Sequence, residues 1–323
     1  MTDMRKNIIW GLAVLATLLA AFGCKKNSDV TSLPSLSGLN ISTVPSYLGI
    51  GETLVFNAKV SDITTSDGTN AGNIGIYWQV NSSSRDTLTK DITTGVPPFV
   101  FTPDTLGQYT AYCHAFAVKG GYYNSTVSIT FRVIDPETAL IGLKEDMSVI
   151  LDDGTAYPAF TAGGDTWMGK NLYGTDSGLF YEGSQITESV FGRYYTWEEA
   201  QTACPFGWHL PTAEEFDADL GFIAGDLMAD AKFLGNDVWD YWPDVPITNA
   251  FGANAIPVGY LDFTYSRTIM QGVDEFACWW TASETDDDLG IFRYIYEENP
   301  LVQEGKGDKN TLALSVRCVK DDD

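Results

Sequence analysis

The stretch 191–216 constrains the fold of this chain more than any other, because it holds two complete helix-start signals. Thr196 is followed three residues later by Glu199, and Thr212 is followed at the same spacing by Glu215. Each pair forms a capping box, in which the hydroxyl and the carboxylate satisfy backbone N–H groups of the first helical turn. The sequence therefore predicts two short helices joined by a tight connection.

Apolar residues give both predicted helices a buried face. The first helix begins at Trp197, lasts about two turns, and stops at Pro205, because proline cannot continue the backbone hydrogen-bond ladder. The second helix buries Phe216 and Leu220, which lie four residues apart on one side. This pattern is typical of scaffold and not of a catalytic apparatus.

Four spaced motifs carry a resemblance to a known family. They occupy residues 167–172 (WMGKNL), 197–216, 279–284 (WWTASE) and 315–321 (SVRCVKD). In this order they resemble the Fibrobacter succinogenes major paralogous domain over roughly residues 140–321. A W-x-x-A helix before a cysteine, together with a last strand that ends in a cysteine, is also similar to the C-type lectin-like fold. The second resemblance implies an α+β domain.

The amino terminus resembles a bacterial lipoprotein signal. Arg5 and Lys6 precede an apolar run over 8–21 that is too short to span a bilayer comfortably, and Gly23-Cys24 follows. We therefore expect residues 1–23 to be a signal peptide and Cys24 to be lipidated, with an ordinary secretory signal or an uncleaved anchor as alternatives. Residues 24–37 are polar and predict a flexible tether.

Export would allow the four remaining cysteines to form disulfides. Cys113, Cys204, Cys278 and Cys318 permit three connectivities. The lectin-like resemblance implies a disulfide between Cys204 and Cys318. Cys113 and Cys278 are then expected to be small buried hydrophobes.

Residues 38–135 contain alternating β-branched and aromatic runs separated by turn residues, which predicts an all-β sandwich. Trp78 on a central strand, and Tyr109 leading into the strand of Cys113, resemble an immunoglobulin-like domain. The strand over 54–60 has no cysteine, so Trp78 must be held by packing alone. We interpret this domain as a spacer and not as a ligand-binding domain, because no site is visible in it. Asp135-Pro136 marks its end.

The Gly/Asn/Pro-rich loop over 235–252 is the best binding candidate in the chain. It holds two kinds of side chain that a sugar-binding surface uses, aromatic rings and carboxylates, at Trp239, Asp240, Tyr241, Trp242 and Asp244. Aromatic faces stack on the C–H faces of a pyranose, and carboxylates accept its hydroxyl protons. The alternative interpretation is a loop held in place by its own aromatic residues.

The rest of this domain predicts a third short helix over 227–234 and strands over 253–263, 278–281 and 312–319. The insert over 285–310 contains a further alternating run, IFRYIY, with charged ends that are expected to be mobile.

Several function classes are excluded or unsupported by composition. The net charge of −24 excludes a nucleic-acid-binding surface, which needs clustered Lys and Arg. His114 and His209 are the only histidines, so the chain has few imidazole groups for a zinc site or a Ser-His-Asp triad. The calcium-ligand motifs of sugar-binding lectin-like domains do not occur. We therefore expect no metal and no cofactor.

The sequence thus predicts a two-domain protein, with an immunoglobulin-like sandwich over 38–135 followed by a C-type lectin-like domain over 140–321. We expect a non-catalytic outer-membrane lipoprotein, displayed at the cell surface, that binds a polysaccharide or an envelope protein. The periplasmic side and a structural or assembly subunit without a small ligand are the alternatives. An enzyme of the formylglycine-generating type, with Cys278 as its reactive thiol, is a further alternative.

Overall fold

The computed structural model describes residues 32–82, 98–264, 268–286 and 288–322, and the backbone alone over 85–94. The predicted signal peptide, the lipidation site Cys24 and residues 24–31 of the tether lie outside the described residues. The prediction that the tether extends to residue 37 is wrong at its end, because Leu36 is buried and Leu36–Ser37 form a strand paired with Thr64 and Thr65. No helix in the described part of the chain is long and apolar enough to cross a membrane.

Eleven strands build the first domain. They are β1 (Leu36–Ser37), β2 (Asn40–Ile41), β3 (Tyr47–Leu48), β4 (Leu54–Phe56), β5 (Ala58–Lys59), β6 (Thr64–Thr65), β7 (Ile74–Ser82), β8 (Arg85–Thr94), β9 (Phe99–Phe101), β10 (Gly107–Ala117) and β11 (Ser125–Val133). One sheet has the order β3-β11-β10-β7-β8, and the pairs β2-β5 and β4-β9 pack against it across a shared core. This is the immunoglobulin-like β fold that the sequence predicts.

Aromatic rings fill the core of this sandwich. Trp78 on β7 is 1% exposed, and its ring centroid lies 5.4 Å from that of Phe56 and 5.4 Å from that of Phe99. Cys113 stands opposite Trp78 in the register of β7 and β10 and is a buried free thiol. Trp78 is therefore held by packing and not by a neighbouring disulfide.

The second domain is mostly β-sheet with few helices. Its strands are β12 (Leu140–Ile141), β13 (Met147–Ile150), β14 (Ala156–Ala162), β15 (Asp165–Met168), β16 (Leu179–Phe180), β17 (Arg193–Thr196), β18 (Trp208–His209), β19 (Lys232–Phe233), β20 (Asn236–Asp237), β21 (Val258–Asp262), β22 (Ile269–Val273), β23 (Phe276–Glu284), β24 (Leu289–Tyr296), β25 (Gln303–Asp308), β26 (Leu312–Leu314) and β27 (Val319–Lys320). The two larger sheets have the orders β13-β14-β15-β27-β18 and β16-β17-β26-β21-β23-β24-β25, and β22 pairs with β21.

Short helices connect these strands. They are α1 (Pro136–Ala139), α2 (Glu188–Phe191), α3 (Trp197–Ala203), α4 (Ala213–Leu220) and α5 (Ala224–Leu227), with 3₁₀ turns at Tyr181–Gly183 and Gln185–Thr187. Both predicted capping boxes are confirmed, at the starts of α3 and α4. The predicted helix over 227–234 is wrong. There the Ala229 N–H bonds to the carbonyl of Ala255, 2.9 Å away, and not to its own preceding turn.

The insert over 285–310 contains two paired strands, where the sequence predicts one. The run IFRYIY lies in β24 as predicted, and β25 pairs with it over 303–308. The sequence does not predict β25, because its glycines are unfavourable in strands. A Cβ at Gly305 would lie only 2.1 Å from the Phe292 ring, so the absence of a side chain lets that ring lie across the strand.

Tyr47 joins the two domains. Its ring centroid lies 5.9 Å from that of Tyr181, 6.1 Å from that of Phe191 and 5.4 Å from that of Phe233. The Ser184 hydroxyl also donates a hydrogen bond to the Tyr47 carbonyl. The edge strand of the sandwich is thus packed into an aromatic cluster of the second domain.

Candidate functional site

Residues from separate sequence motifs meet in a buried hydrogen-bond network around Asn171. Its side-chain oxygen accepts hydrogen bonds from Trp279 Nε1 at 2.9 Å and from Arg317 Nε at 3.2 Å. Its amide nitrogen donates to the Phe191 carbonyl at 3.1 Å and to Ser315 Oγ at 3.2 Å. All of these polar groups are buried, so this network stabilises the domain and does not form a surface for ligands.

Arg317 is a buried cation within this network. Besides Asn171, its guanidinium donates to the carbonyls of Ala253, Asn254 and Met168, and its centre lies 5.7 Å from the ring centroid of Trp279. Burial lowers the pKa of Arg317 to about 10, which still leaves it charged at neutral pH. Its charge is shared among backbone carbonyls and not with a carboxylate.

The cysteines lie where the lectin-like resemblance implies. Cys204 at the end of α3 and Cys318 before β27 form a disulfide with a Cα–Cα distance of 5.9 Å. Cys113 and Cys278 are buried free thiols, and burial raises the pKa of both, that of Cys113 to about 12. A buried thiol with a raised pKa is a poor nucleophile, so Cys278 does not fit the reactive role that the enzyme alternative requires.

His209 links the end of the chain to α4. Its Nδ1 lies 2.6 Å from Asp321 Oδ1, and its Nε2 lies 3.2 Å from Glu215 Oε1. Partial burial by itself lowers the pKa of His209, but the hydrogen bonds that its ring donates to Asp321 and Glu215 outweigh this effect, and the pKa lies above the usual value. Glu215 also completes the capping box of α4.

The predicted binding loop needs one correction, because Trp239 does not lie on its surface. The Trp239 ring is 2% exposed, and its Nε1 donates to the Ala255 carbonyl at 2.8 Å. The prediction that Trp239 takes part in an exposed surface is therefore wrong. Its indole fills the core and anchors the loop, as the alternative interpretation expects.

The residues between Trp239 and the buried Val245 do reach solvent. Asp240 and Asp244 are exposed, Tyr241 is 85% exposed, and Trp242 is 39% exposed. We call residues 240–244 the exposed arch. Two buried side chains fix its ends, so its aromatic rings are presented on a restrained backbone.

A cleft of about 390 Å³ opens beside the exposed arch, between the two domains. The sandwich contributes Tyr47 and Arg132 to its wall, and the second domain contributes Phe233, Asp240 and Asp274. The local sequence patterns around Arg132 and Asp274 do not indicate that the fold brings these residues to one cavity. The arch and the cleft share Asp240.

No metal centre forms within the described ranges. His, Cys, Asp and Glu side chains there do not gather in threes in a way that could hold an ion.

The geometry defines a two-domain protein with an immunoglobulin-like sandwich and a disulfide-linked, mostly β second domain that carries the exposed arch. Residues 160–320 match the family model described as the Fibrobacter succinogenes major domain. The carboxy-terminal part of the chain belongs to this family, as the four motifs predict. The family model begins about twenty residues later than the predicted domain start at residue 140. None of the curated proteins matches the chain.

Three solved structures are similar to parts of the chain. The CARDB domain of a Pyrococcus furiosus protein, in complex with di-metal ions, is 13% identical and has a TM-score of 0.24, covering 32% of this chain and 90% of that chain. The PKD domain of an M14-like peptidase from a Thermoplasmatales archaeon is 17% identical with a TM-score of 0.19, covering 31% and 95%. The Yersinia pseudotuberculosis adhesin InvE is 13% identical with a TM-score of 0.25, covering 89% and 70%. At such low TM-scores these similarities assign no function.

Proposed function

We propose that this chain is a lipid-anchored, non-catalytic protein of the cell envelope, whose second domain binds an extracellular polysaccharide or protein. The observation that carries this proposal is the exposed arch, where Tyr241 is 85% exposed between two buried anchors. Exposed aromatic rings on a restrained backbone lose little conformational entropy when they bind. The carboxylates of Asp240 and Asp244 beside them can accept hydrogen bonds from hydroxyl or amide groups of the ligand.

A C-type lectin-like fold for the second domain is part of this proposal. It is supported by two capped helices in succession and by a disulfide that ties the end of α3 to the last strand. In this proposal Cys24 carries the lipid, and the part of the tether that precedes β1 holds the folded part away from an outer membrane. The protein then faces the cell exterior.

Binding is tested with the full chain, purified in mild detergent, on a glycan array and in pull-downs from envelope extracts. The double variant Tyr241→Ala/Trp242→Ala is expected to lose binding at least about tenfold, because aromatic anchors dominate such surfaces. Phe206→Ala is the matched control, since Phe206 is also 85% exposed but lies outside the arch. Equal loss in both variants, or no loss in the double variant, would contradict the assignment of the site.

Lipidation and orientation are tested separately from binding. Mass spectrometry of the amino-terminal peptide should find acyl chains on Cys24, and Cys24→Ala should release the protein from membranes. Protease treatment of intact cells should degrade the second domain if it faces outward. Protection until the outer membrane is permeabilised would place it on the periplasmic side.

The second candidate is a structural or assembly subunit, and an apolar patch favours it. Ile223 and Leu301 form a backbone bridge with each other, and both are about half exposed, as is the adjacent Phe222. Grouped apolar side chains at a surface are typical of protein contacts. Two outcomes together would support this function. The protein binds no glycan on the array, and it forms a stable protein complex that the double variant Phe222→Ser/Leu301→Ser disrupts.

A further inference from the structure

The cleft between the domains contains charges of both signs that do not neutralise each other. Its positive wall is Arg132 on β11. Phe131 and Val133, its neighbours in the strand, are buried in the sandwich core. Successive side chains of a strand point to opposite faces, so Arg132 points out of the sandwich and into the cleft. Among the described residues, its guanidinium forms no ion pair and no hydrogen bond.

The negative wall of the cleft is formed by Asp240 and Asp274. Asp274 lies in the turn between β22 and β23 with a φ of 64°, and its N–H donates to the Pro257 carbonyl at 2.9 Å, which fixes its position. Within the described chain neither carboxylate has an ion-pair partner. A third carboxylate of the cleft, Asp237, is already paired with Lys232 at 2.5 Å.

The electrostatics of this wall show that its negative charge is poorly compensated. Burial, together with the nearby charges of Asp240 and Glu275, raises the pKa of Asp274 above its usual value. A positive charge placed between Asp240 and Asp274 would reverse this effect. Arg132 lines the same cavity, but within the described chain no salt bridge joins it to either carboxylate.

Apolar side chains also line the cleft. They are Tyr47, Phe233, Val238, Ile256 and Val273. The volume of about 390 Å³ lies in the range of small-molecule sites, and junctions between domains are where such sites commonly occur. The cavity is therefore lined by a cation, by carboxylates and by apolar side chains.

We propose that this cleft binds a small zwitterion of the amino-acid class. Its carboxylate pairs with Arg132, its ammonium group lies between Asp240 and Asp274, and its apolar side chain contacts Tyr47 and Phe233. A ligand with a single charge would leave one wall uncompensated, whereas a zwitterion compensates both at once. This inference goes beyond the proposed function, since it concerns a different ligand class and depends on Arg132 and Asp274, which lie outside the exposed arch.

The first experiment measures thermal stability of the full chain with each of the twenty free L-amino acids. At least one with an apolar side chain is expected to stabilise the protein in a concentration-dependent manner. The tightest binder is then compared by calorimetry with its decarboxylated amine and its deaminated acid, and each analogue is expected to bind about tenfold more weakly. Absence of stabilisation across all twenty amino acids would overturn the proposal.

Variants separate the two charged walls. Arg132→Leu should abolish the preference for the amino acid over the amine, while Arg132→Lys should restore part of it. Asp274→Asn should abolish the preference for the amino acid over the deaminated acid. Lys59→Leu, on an exposed position of β5 outside the cleft, is the matched control and should change nothing. An unchanged preference in both Arg132→Leu and Asp274→Asn would refute this binding mode.

The design also keeps this proposal apart from binding at the exposed arch. Tyr241→Ala/Trp242→Ala should leave amino-acid binding intact, and Arg132→Leu should leave binding to a glycan or protein ligand intact. Either proposal can thus fail while the other stands.

Discussion

The two domains both bury aromatic cores, but they hold them by different means. In the sandwich, Trp78 is surrounded by Phe56 and Phe99, its indole N–H has no hydrogen-bond partner among the described residues, and Cys113 beside it is a free thiol. In the second domain five indole N–H groups donate hydrogen bonds, those of Trp167, Trp197, Trp239, Trp279 and Trp280. A disulfide and a buried arginine add further long-range links there.

This difference follows from how each core is encoded. Strand alternation gives the sandwich a continuous apolar interior around Trp78. The second domain has short strands and long connections, so segments far apart in sequence must be joined by directional contacts. We infer that specific bonds, and not burial alone, stabilise the second domain.

Removal of the disulfide should have the largest effect. Cys204 and Cys318 are 114 residues apart, and opening a loop of that length costs about 4–5 kcal/mol in the chain-entropy model. The variant Cys204→Ala/Cys318→Ala should unfold the second domain at much lower denaturant concentration. Hydrogen–deuterium exchange read out by mass spectrometry should show the loss there and leave amides of the sandwich unchanged. Equal loss of protection in both domains would remove the contrast.

Replacement of the buried arginine should have the next largest effect. Arg317→Met removes the donors to the Ala253 and Asn254 carbonyls and one of the two donors to the Asn171 side-chain oxygen, and should cost about 3 kcal/mol of unfolding free energy. Arg293→Met is the matched control.

The partners of Arg293 reach water, unlike those of Arg317. Arg293 is itself buried, but it pairs with Asp217 and Glu304, whose side chains are 29% and 49% exposed. The Arg293→Met loss should therefore be smaller, about 1 kcal/mol. Denaturant titration of the three proteins measures both effects, and an equal cost for the two variants would contradict the importance of the Asn171 network.

A pair of matched tryptophan variants compares the two cores directly. Trp279→Phe removes a donor from Asn171, so it should cost about 2 kcal/mol or more. Trp78→Phe loses ring area but also removes a buried N–H that has no partner, so its net cost should be about 1 kcal/mol or less. The stability cost of each variant is measured by thermal unfolding and by the hydrogen-exchange protection of amides in the domain that carries the substitution. A larger cost at Trp78 would reverse the comparison.

The sequence predicts those features that local rules encode. The capping boxes at Thr196 and Thr212 each predict a helix start from two residues that are three positions apart. The alternation of apolar and polar residues around Trp78 predicts its strand. The disulfide follows from the resemblance, since spacing alone leaves three connectivities open.

The features that the sequence does not predict depend on contacts between distant residues. Asn171 and Arg317 lie 146 positions apart, and the sequence around either residue does not indicate that the two are in contact. The charged Arg317 inside the otherwise apolar run VRCV is a local signal that could indicate a buried network. The prediction that Trp239 lies at a binding surface is wrong, because the same aromatic and acidic pattern is typical both of a core anchor and of a binding surface. Only the burial of the ring in the structure distinguishes these two roles.

The smallest predicted effect is the pH dependence of the link between α4 and the end of the chain. The pKa of His209 is raised in the folded state by Asp321 and Glu215 against the effect of burial, so its contribution is fully present below its unfolded value near 6.5 and is lost as the pH rises through the folded pKa. The pKa of Glu215 is lowered, because hydrogen bonds from Thr212 and His209 outweigh its desolvation, so its contribution is lost as the pH falls below its unfolded value near 4.5.

The second domain should therefore be most stable between about pH 4.5 and pH 6.5. Above this range it should lose about 0.5 kcal/mol or less of unfolding free energy, since the His209 side chain is 39% exposed and water screens its interaction with Glu215. His209→Gln should flatten the decline at higher pH and keep the decline at low pH. Exchange protection of amides in β18 and β27, which carry His209 and precede Asp321, is the most local measurement. An unchanged decline at higher pH in His209→Gln would assign it to another group, and a decline of equal size in the sandwich would show that it does not arise from this link.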